Sequence, residues 1–271
     1  MTPGPTHKRP GETRVGEIVT FSPSPRTRFT VLGIPEDIGV RANCGRPGSH
    51  EAWSAFLSSF LNLPVNPSFP ADSVTIAGTV TTGDLMRRCA ASKNDTPEGL
   101  RRLRDACGEL DARVVETVCA VAKHKTTPII IGGGHNNAYP IIKAVCQARQ
   151  IKDIPVINLD AHADFRPMEG RHSGNPFRYA HHEGLLKDYH VIGLHEDVNN
   201  GPMMEAFSKA GFLAATYDDI FVRDKTDFKR ALDRSVARLK RHKVPVGVEL
   251  DLDAIANMPT SAHAPYGVSL Q

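Results

Sequence analysis

No stretch of this 271-residue sequence stays apolar for the ~20 residues that a membrane helix needs, and no signal-peptide pattern precedes the first strand-like run. Neither charge dominates: 33 Lys and Arg stand against 30 Asp and Glu, a formal net charge of +3. That excess is too slight and too dispersed to point to nucleic acid or to an anionic membrane as partner. Cysteine is present without a pattern. Cys44, Cys89, Cys107, Cys119 and Cys146 are odd in number and unpaired in spacing, which excludes a disulfide framework and fits a reduced, cytoplasmic compartment. Internal repeats, low-complexity segments and linkers are also missing. A single globular domain is therefore expected, since a chain of this length can bury most of its apolar surface in one core.

What the sequence does contain is alternation. Residues 1–28, with Pro3, Pro5, Pro10, Pro23 and Pro25, read as a loose arm. From Phe29 onward, strand-like runs at 29–34, 73–78, 127–131, 154–159, 188–195, 212–217 and 244–250 alternate with helical patterns at 49–61, 97–124, 138–150, 203–209 and 227–243. The longest helix starts at Thr96-Pro97 and carries a stripe of Leu100, Leu103, Leu110, Val114, Val118 and Val121, the mark of a core-facing face. Such alternation predicts an α/β fold, a three-layer α/β/α arrangement around a mainly parallel central sheet, over residues 29–271.

Three strand ends carry the chemistry. Residues 154–164, IPVINLDAHAD, are apolar on both faces until Asp160, His162 and Asp164 appear at alternate positions. Extended chain would send those three to one side, and small Ala161 and Ala163 to the other. Residues 127–135, TPIIIGGGH, end in three glycines and His135, and residues 244–253 end in Asp251 and Asp253. In open parallel sheets ligands sit beyond the carboxyl ends of the strands. An Asp-x-His-x-Asp cluster is costly to bury unless its charges are paired or hold a metal. Two His and four Asp suit a pair of hard divalent cations such as Mn2+.

With these three motifs in this order, the sequence resembles the arginase, or ureohydrolase, superfamily. The resemblance runs from about Phe29 to the last residue. It implies two Mn2+ per chain, one held by His135, Asp160, Asp164 and Asp251, the other by Asp160, His162, Asp251 and Asp253, with Asp160 and Asp251 bridging. Within the superfamily, residues 33–48, GIPEDIGVRANCGRPG, and 171–178, RHSGNPFR, look like the opening loop and substrate loop of the formimidoylglutamase branch. The implied activity is hydrolysis of N-formimidoyl-L-glutamate to L-glutamate and formamide by a metal-bridging hydroxide, with Asp164 as ligand and proton shuttle. The expected partner is a small amidino or guanidino acid, and a homo-oligomer is compatible with the sequence.

Departures from the arginase pattern bear on the substrate. Phe177 stands where arginases have a proton-transferring His, and Arg166 stands where they have a carboxylate-contacting Asn. A cationic Arg166 favours a substrate with two carboxylates. Ser173 and Asn175 on the substrate loop, and Asn43 and Arg46 after the first strand, are the other expected substrate contacts. His172 and His195 are candidates at the mouth, and His181-His182 reads as surface loop. Glu249 replaces a Ser ahead of the last ligand pair. The family's final strand, with a substrate-contacting Glu, would lie beyond Gln271, so the domain is expected to lack its last strand and helix. The alternatives are agmatinase, arginase or another guanidino-acid hydrolase, or an inactive arginase-like binding protein.

Overall fold

The computed structural model describes residues 9–123, 126–262 and 266–269. Its strands are β1 (Phe29–Gly33), β2 (Val74–Thr79), β3 (Thr127–Ile131), β4 (Ile154–Leu159), β5 (Leu186–Leu194), β6 (Leu213–Thr216) and β7 (Gly247–Leu250). Its α-helices are α1 (Ile38–Ala42), α2 (Ala52–Leu61), α3 (Gly83–Cys89), α4 (Pro97–Ala122), α5 (Ala138–Arg149), α6 (Pro176–His182), α7 (Gly201–Lys209) and α8 (Phe228–Leu239). The short helices α1, α3 and α6 fall in stretches without helical periodicity. The predicted helix end at His124 and the arm's residues 1–8 lie outside the described residues.

All strand pairs are parallel, but they form two sets rather than the one sheet expected: β2-β1-β3 and β6-β5-β4-β7. Among the described residues no ladder joins β3 to β7. The physical sign of this is the exposure of β7, where Val248 is 78% and Leu250 57% accessible. The carboxyl ends of the two strands still meet, with His135 Nδ1 3.2 Å from Asp251 Oδ2.

Alternation along the strands builds the three layers. In β1, Leu32 packs with Leu103, Leu110 and Val114 of α4, while Val31 packs on the opposite side with Trp53 and Leu61 of α2. In β4, Val156 joins the core under α5, α6 and α7, and Ile157 joins the one under α8. Helix α4 begins where the sequence says it should, the Thr96 hydroxyl accepting from Gly99 N at 3.1 Å with Pro97 in the first turn. Its stripe is buried at Leu103, Leu110, Val114 and Val118, with Leu100 and Val121 half-buried at the rims.

Residues 9–28 are not a loose arm. Val15 and Val19, four apart, are 0% and 7% exposed against Trp53, Leu61 and Val74. Thr20 also donates to Val74 O and accepts from Ile76 N, at 3.2 and 2.9 Å. Proline content concealed two apolar anchors.

Leu110→Ala in α4 removes a fully buried side chain and should cost ~2–5 kcal/mol of unfolding free energy, read by urea denaturation. A loss under ~1 kcal/mol would mean that α4 is not packed as described.

Candidate metal centre

The three strand ends deliver their ligand-type side chains to one place. His135 Nδ1 lies 2.9 Å from Asp164 Oδ2, 3.3 Å from Asp160 Oδ2 and 3.2 Å from Asp251 Oδ2. Beside it, His162 Nδ1 is 2.9 Å from Asp253 Oδ2 and 3.6 Å from Asp160 Oδ1. Two groups result, His135, Asp160, Asp164 and Asp251, and Asp160, His162 and Asp253, each with donor atoms within 4.8 Å of one another. Asp160, fully buried, belongs to both.

Asp251 does not join the second group as expected. Its Oδ1 accepts from Asp253 N at 3.0 Å, capping the turn Leu252–Ala254, and only Oδ2 is left to face His135. The donor set fits a cation pair. The buried Nδ1 of His135 and Oδ1 of Asp253 have no hydrogen-bond partner, although carboxylates crowd round the first.

Strand β4 ends at Leu159, and although Asp160 N still donates to Ile192 O of β5, the chain bends at Ala161 and His162, so the expected alternation does not run on to Asp164. Asn199 replaces the ladder: its Nδ2 donates to Ala161 O and its Oδ1 accepts from Ala163 N, both at 2.9 Å. His195 N also donates to Ala161 O. Asp164 then takes φ of 44°, a left-handed conformation uncommon outside glycine, which turns its carboxylate back to His135. Asn158 Nδ2 donates to Asp160 Oδ2 at 2.8 Å and fixes the shared carboxylate. Asn158 and Asn199 carry no motif, and sequence reasoning missed both.

Electrostatics in the cluster are set by crowding. Burial works against charge on His162, yet Asp160 and Asp253 push it up to about 11. His135 likewise titrates well above its ordinary value despite burial, through Asp160, Asp164 and Asp251. Burial raises Asp164, and burial with neighbouring Asp251 and Asp160 pushes Asp253 up to about 7. Asp160, buried but paired with both imidazoles, stays below the usual carboxylate range.

The expected substrate contacts divide. Arg166 is exposed and its side chain lies along Gly174, whose Cβ would meet Arg166 Cδ at 2.9 Å. No carboxylate pairs with Arg166 among the described residues, since Glu169 is taken by Arg104 at 3.2 Å. Asn43 Nδ2 donates to Ser173 Oγ at 3.3 Å, joining the opening and substrate loops. Arg46 is exposed but spends Nη2 on Thr260 O. Asn175 is fully buried with its amide engaged inside the loop, accepting from Arg171 and donating to Gly170 O and Pro167 O.

The histidine candidates are likewise redistributed. His172 is buried, with Nδ1 accepting from Gly174 N, and burial and nearby Arg104, Arg171 and Arg166 depress it to about 3. His195, 1% exposed, stacks on Tyr266 with ring centroids 4.4 Å apart and has no hydrogen bond at either ring nitrogen. His181 and His182 close helix α6 rather than lying in a loop, and His181 packs on Phe212. Phe177 sits edge-on to the His135 ring at 5.3 Å as a wall of the cluster.

A parallel α/β scaffold gathering two histidines and four carboxylates at its strand ends defines a binuclear metallohydrolase type of site. The Arginase family model matches residues 27–270, and the chain belongs to that family. Among curated relatives, a Formimidoylglutamase of Halalkalibacterium halodurans is 34% identical over 160 residues, covering 57% of this chain and 47% of the relative. A Formimidoylglutamase of Streptococcus pyogenes serotype M3 is 26% identical over 249 residues, 89% of this chain and 69% of the relative. The chain thus spans about half the length of the first and about two thirds of the second. The crystal structure of Trypanosoma cruzi formiminoglutamase with Mn2+ superposes with TM-score 0.74 at 22% identity, covering 95% of this chain and 82% of that one, which shows the arginase fold.

Because imidazole binds metal only when neutral, Mn2+ loading should release protons and weaken as pH falls. Isothermal titration calorimetry in buffers of different ionisation enthalpy reads this, and an identical apparent heat in all buffers would contradict it. Asp160→Ala should cost both ions and Asp253→Ala mainly one. Undiminished binding of two Mn2+ by Asp160→Ala would refute its shared position.

Proposed function

We propose that this chain hydrolyses N-formimidoyl-L-glutamate to L-glutamate and formamide with two Mn2+, in the cytoplasm. The observation that carries this reading is the pair of donor groups sharing Asp160. The names of the relatives support the substrate, as does an exposed Arg166 beside the substrate loop with no carboxylate partner among the described residues. Free cysteines, and the absence of any helix long and apolar enough to cross a membrane among the described residues, are in keeping with the location.

Bound at His135, Asp160, Asp164 and Asp251 and at Asp160, His162 and Asp253, with Asp251 a further candidate for the second, the cations would supply Lewis-acid activation of water and of the amidine carbon. The chain's own residues do the rest. Asp164, one of the gathered carboxylates, is the group that would take a proton from the attacking water and return it to the leaving amine. Arg166 presents a planar fork to a substrate carboxylate and so fixes the orientation of the carbon to be attacked. Phe177 has no proton to give and instead shields the His135 ring.

A substrate panel with added Mn2+, scoring formamide, urea and ammonia separately, tests the reading. Formamide from formimidoylglutamate is the expected product. Urea from arginine or agmatine would replace it with a guanidino-acid activity, and no product with any substrate would leave a binding protein. Arg166→Asn should lower kcat/KM on formimidoylglutamate by on the order of 10- to 150-fold, mostly through KM, with Mn2+ content intact, since a charged hydrogen bond is worth ~1.5–3 kcal/mol. An analogue with one carboxylate amidated should lose less. Equal losses on both substrates would put Arg166 outside the carboxylate site.

A further inference from the structure

Glu36 is a fully buried carboxylate that stands outside the metal cluster and forms no ion pair among the described residues. Five N–H groups converge on it. Oε2 accepts from Ile38 N at 2.7 Å and Gly39 N at 3.2 Å, both in the loop and helix that follow β1. Oε1 accepts from Gly134 N at 2.8 Å, Asn137 Nδ2 at 2.7 Å and Asn136 Nδ2 at 3.3 Å, all in the turn that carries His135. Every contact is a donor. Burial works against the charge and raises the carboxyl, while the five donors favour the anion.

The turn is shaped around this oxygen. Gly133 has φ of +76°, and a Cβ there would meet Glu36 Oε1 at 2.9 Å and Asn137 Nδ2 at 2.7 Å. The substrate loop hangs on the same hub. Ser173 N donates to Gly39 O at 2.9 Å, and Arg171 Nη2 donates to Asn136 O at 2.7 Å. Arg171 is itself held by Asp111 of α4 at 2.7 Å. One carboxylate thus ties together the loop bearing Asn43, the turn bearing His135 and the loop bearing Ser173.

We propose that Glu36 is a positioning residue: as a buried anion it sets the turn that aims His135 into the donor cluster and docks the opening and substrate loops on it. The inference rests on the reading of His135 as a metal ligand. An isosteric Gln cannot replace Glu36, because its amide hydrogens would meet N–H donors on one side and leave two or three of the five without an acceptor.

Mn2+ titration of the full chain, by calorimetry and by the EPR signal of free Mn2+, tests this on wild type, Glu36→Gln, Asn137→Ala and His135→Ala. Supporting residues around metal ligands typically change affinity by ~10–100-fold, so Glu36→Gln should weaken one Mn2+ equivalent by about that factor, the same equivalent that His135→Ala removes. Asn137→Ala, which deletes one donor and keeps the carboxylate, should weaken that equivalent by a smaller factor. It also decides the matter if Glu36→Gln fails to fold. Variants that melt earlier but bind both equivalents with wild-type affinity would make Glu36 merely structural and overturn the inference. A wild type that binds two Mn2+ beside unaffected variants sinks the inference alone. A wild type that binds none sinks the metal reading and the inference with it.

Discussion

Four carboxylates crowd two imidazoles at the meeting point of three strands, and this crowding is the constraint that the rest of the structure serves. Asp160 is fully buried, and Asp164, Asp251 and Asp253 lie within one side chain of it. Like charges so close raise each other's energy by several kcal/mol in a low dielectric unless cations intervene. Divalent ions held among them would relieve that repulsion. A scaffold that tolerates such a cluster must hold it rigidly, since relaxation would let the carboxylates separate.

Rigidity comes less from the sheets than from side chains that grip backbone. Asn199 grips Ala161 O and Ala163 N where strand β4 has ended and the chain bends. Glu36 gathers backbone and amide donors from two turns. Arg171 lies against the rings of Tyr139 and Tyr179, 4.7 and 4.8 Å from their centroids, and reaches Asp111, Asn136 O and Asn175. Breaking such buried charged pairs by removing one partner typically costs ~3–5 kcal/mol. These groups are polar, buried and satisfied, which is what lets loops rather than strands carry ligands at fixed positions.

The same economy separates residues that hold the mouth from residues free to meet a ligand. Asn175 and His172 are committed to the internal bonds of the substrate loop. Arg166, on the outer side of that loop, has its guanidinium uncommitted to any carboxylate among the described residues. Phe177 and Tyr189 stack at 4.1 Å behind His135 and close the cluster from the core side. Arg166 is therefore a cation without a carboxylate partner among the described residues, beside a cluster that is itself rich in carboxylates.

By itself the sequence determined the elements that depend on local pattern. The strand ends at His135, Asp160 and Asp251, the stripe and Thr96 cap of α4, and the parallel α/β class were legible because period, capping chemistry and charge clustering are properties of neighbouring residues. Tertiary structure alone decided the rest. The path of the chain after β4 depends on Asn199, 36 residues from Ala163 and 38 from Ala161, and whether residues 9–28 pack depends on Trp53 and β2. That the strands form two sets shows only in the folded chain, and that Glu36 rather than any motif residue joins the loops follows from long-range polar contacts with Gly134, Asn136 and Asn137. Such contacts leave no period in the chain, because each is made once, between residues whose separation in sequence is set by everything folded between them.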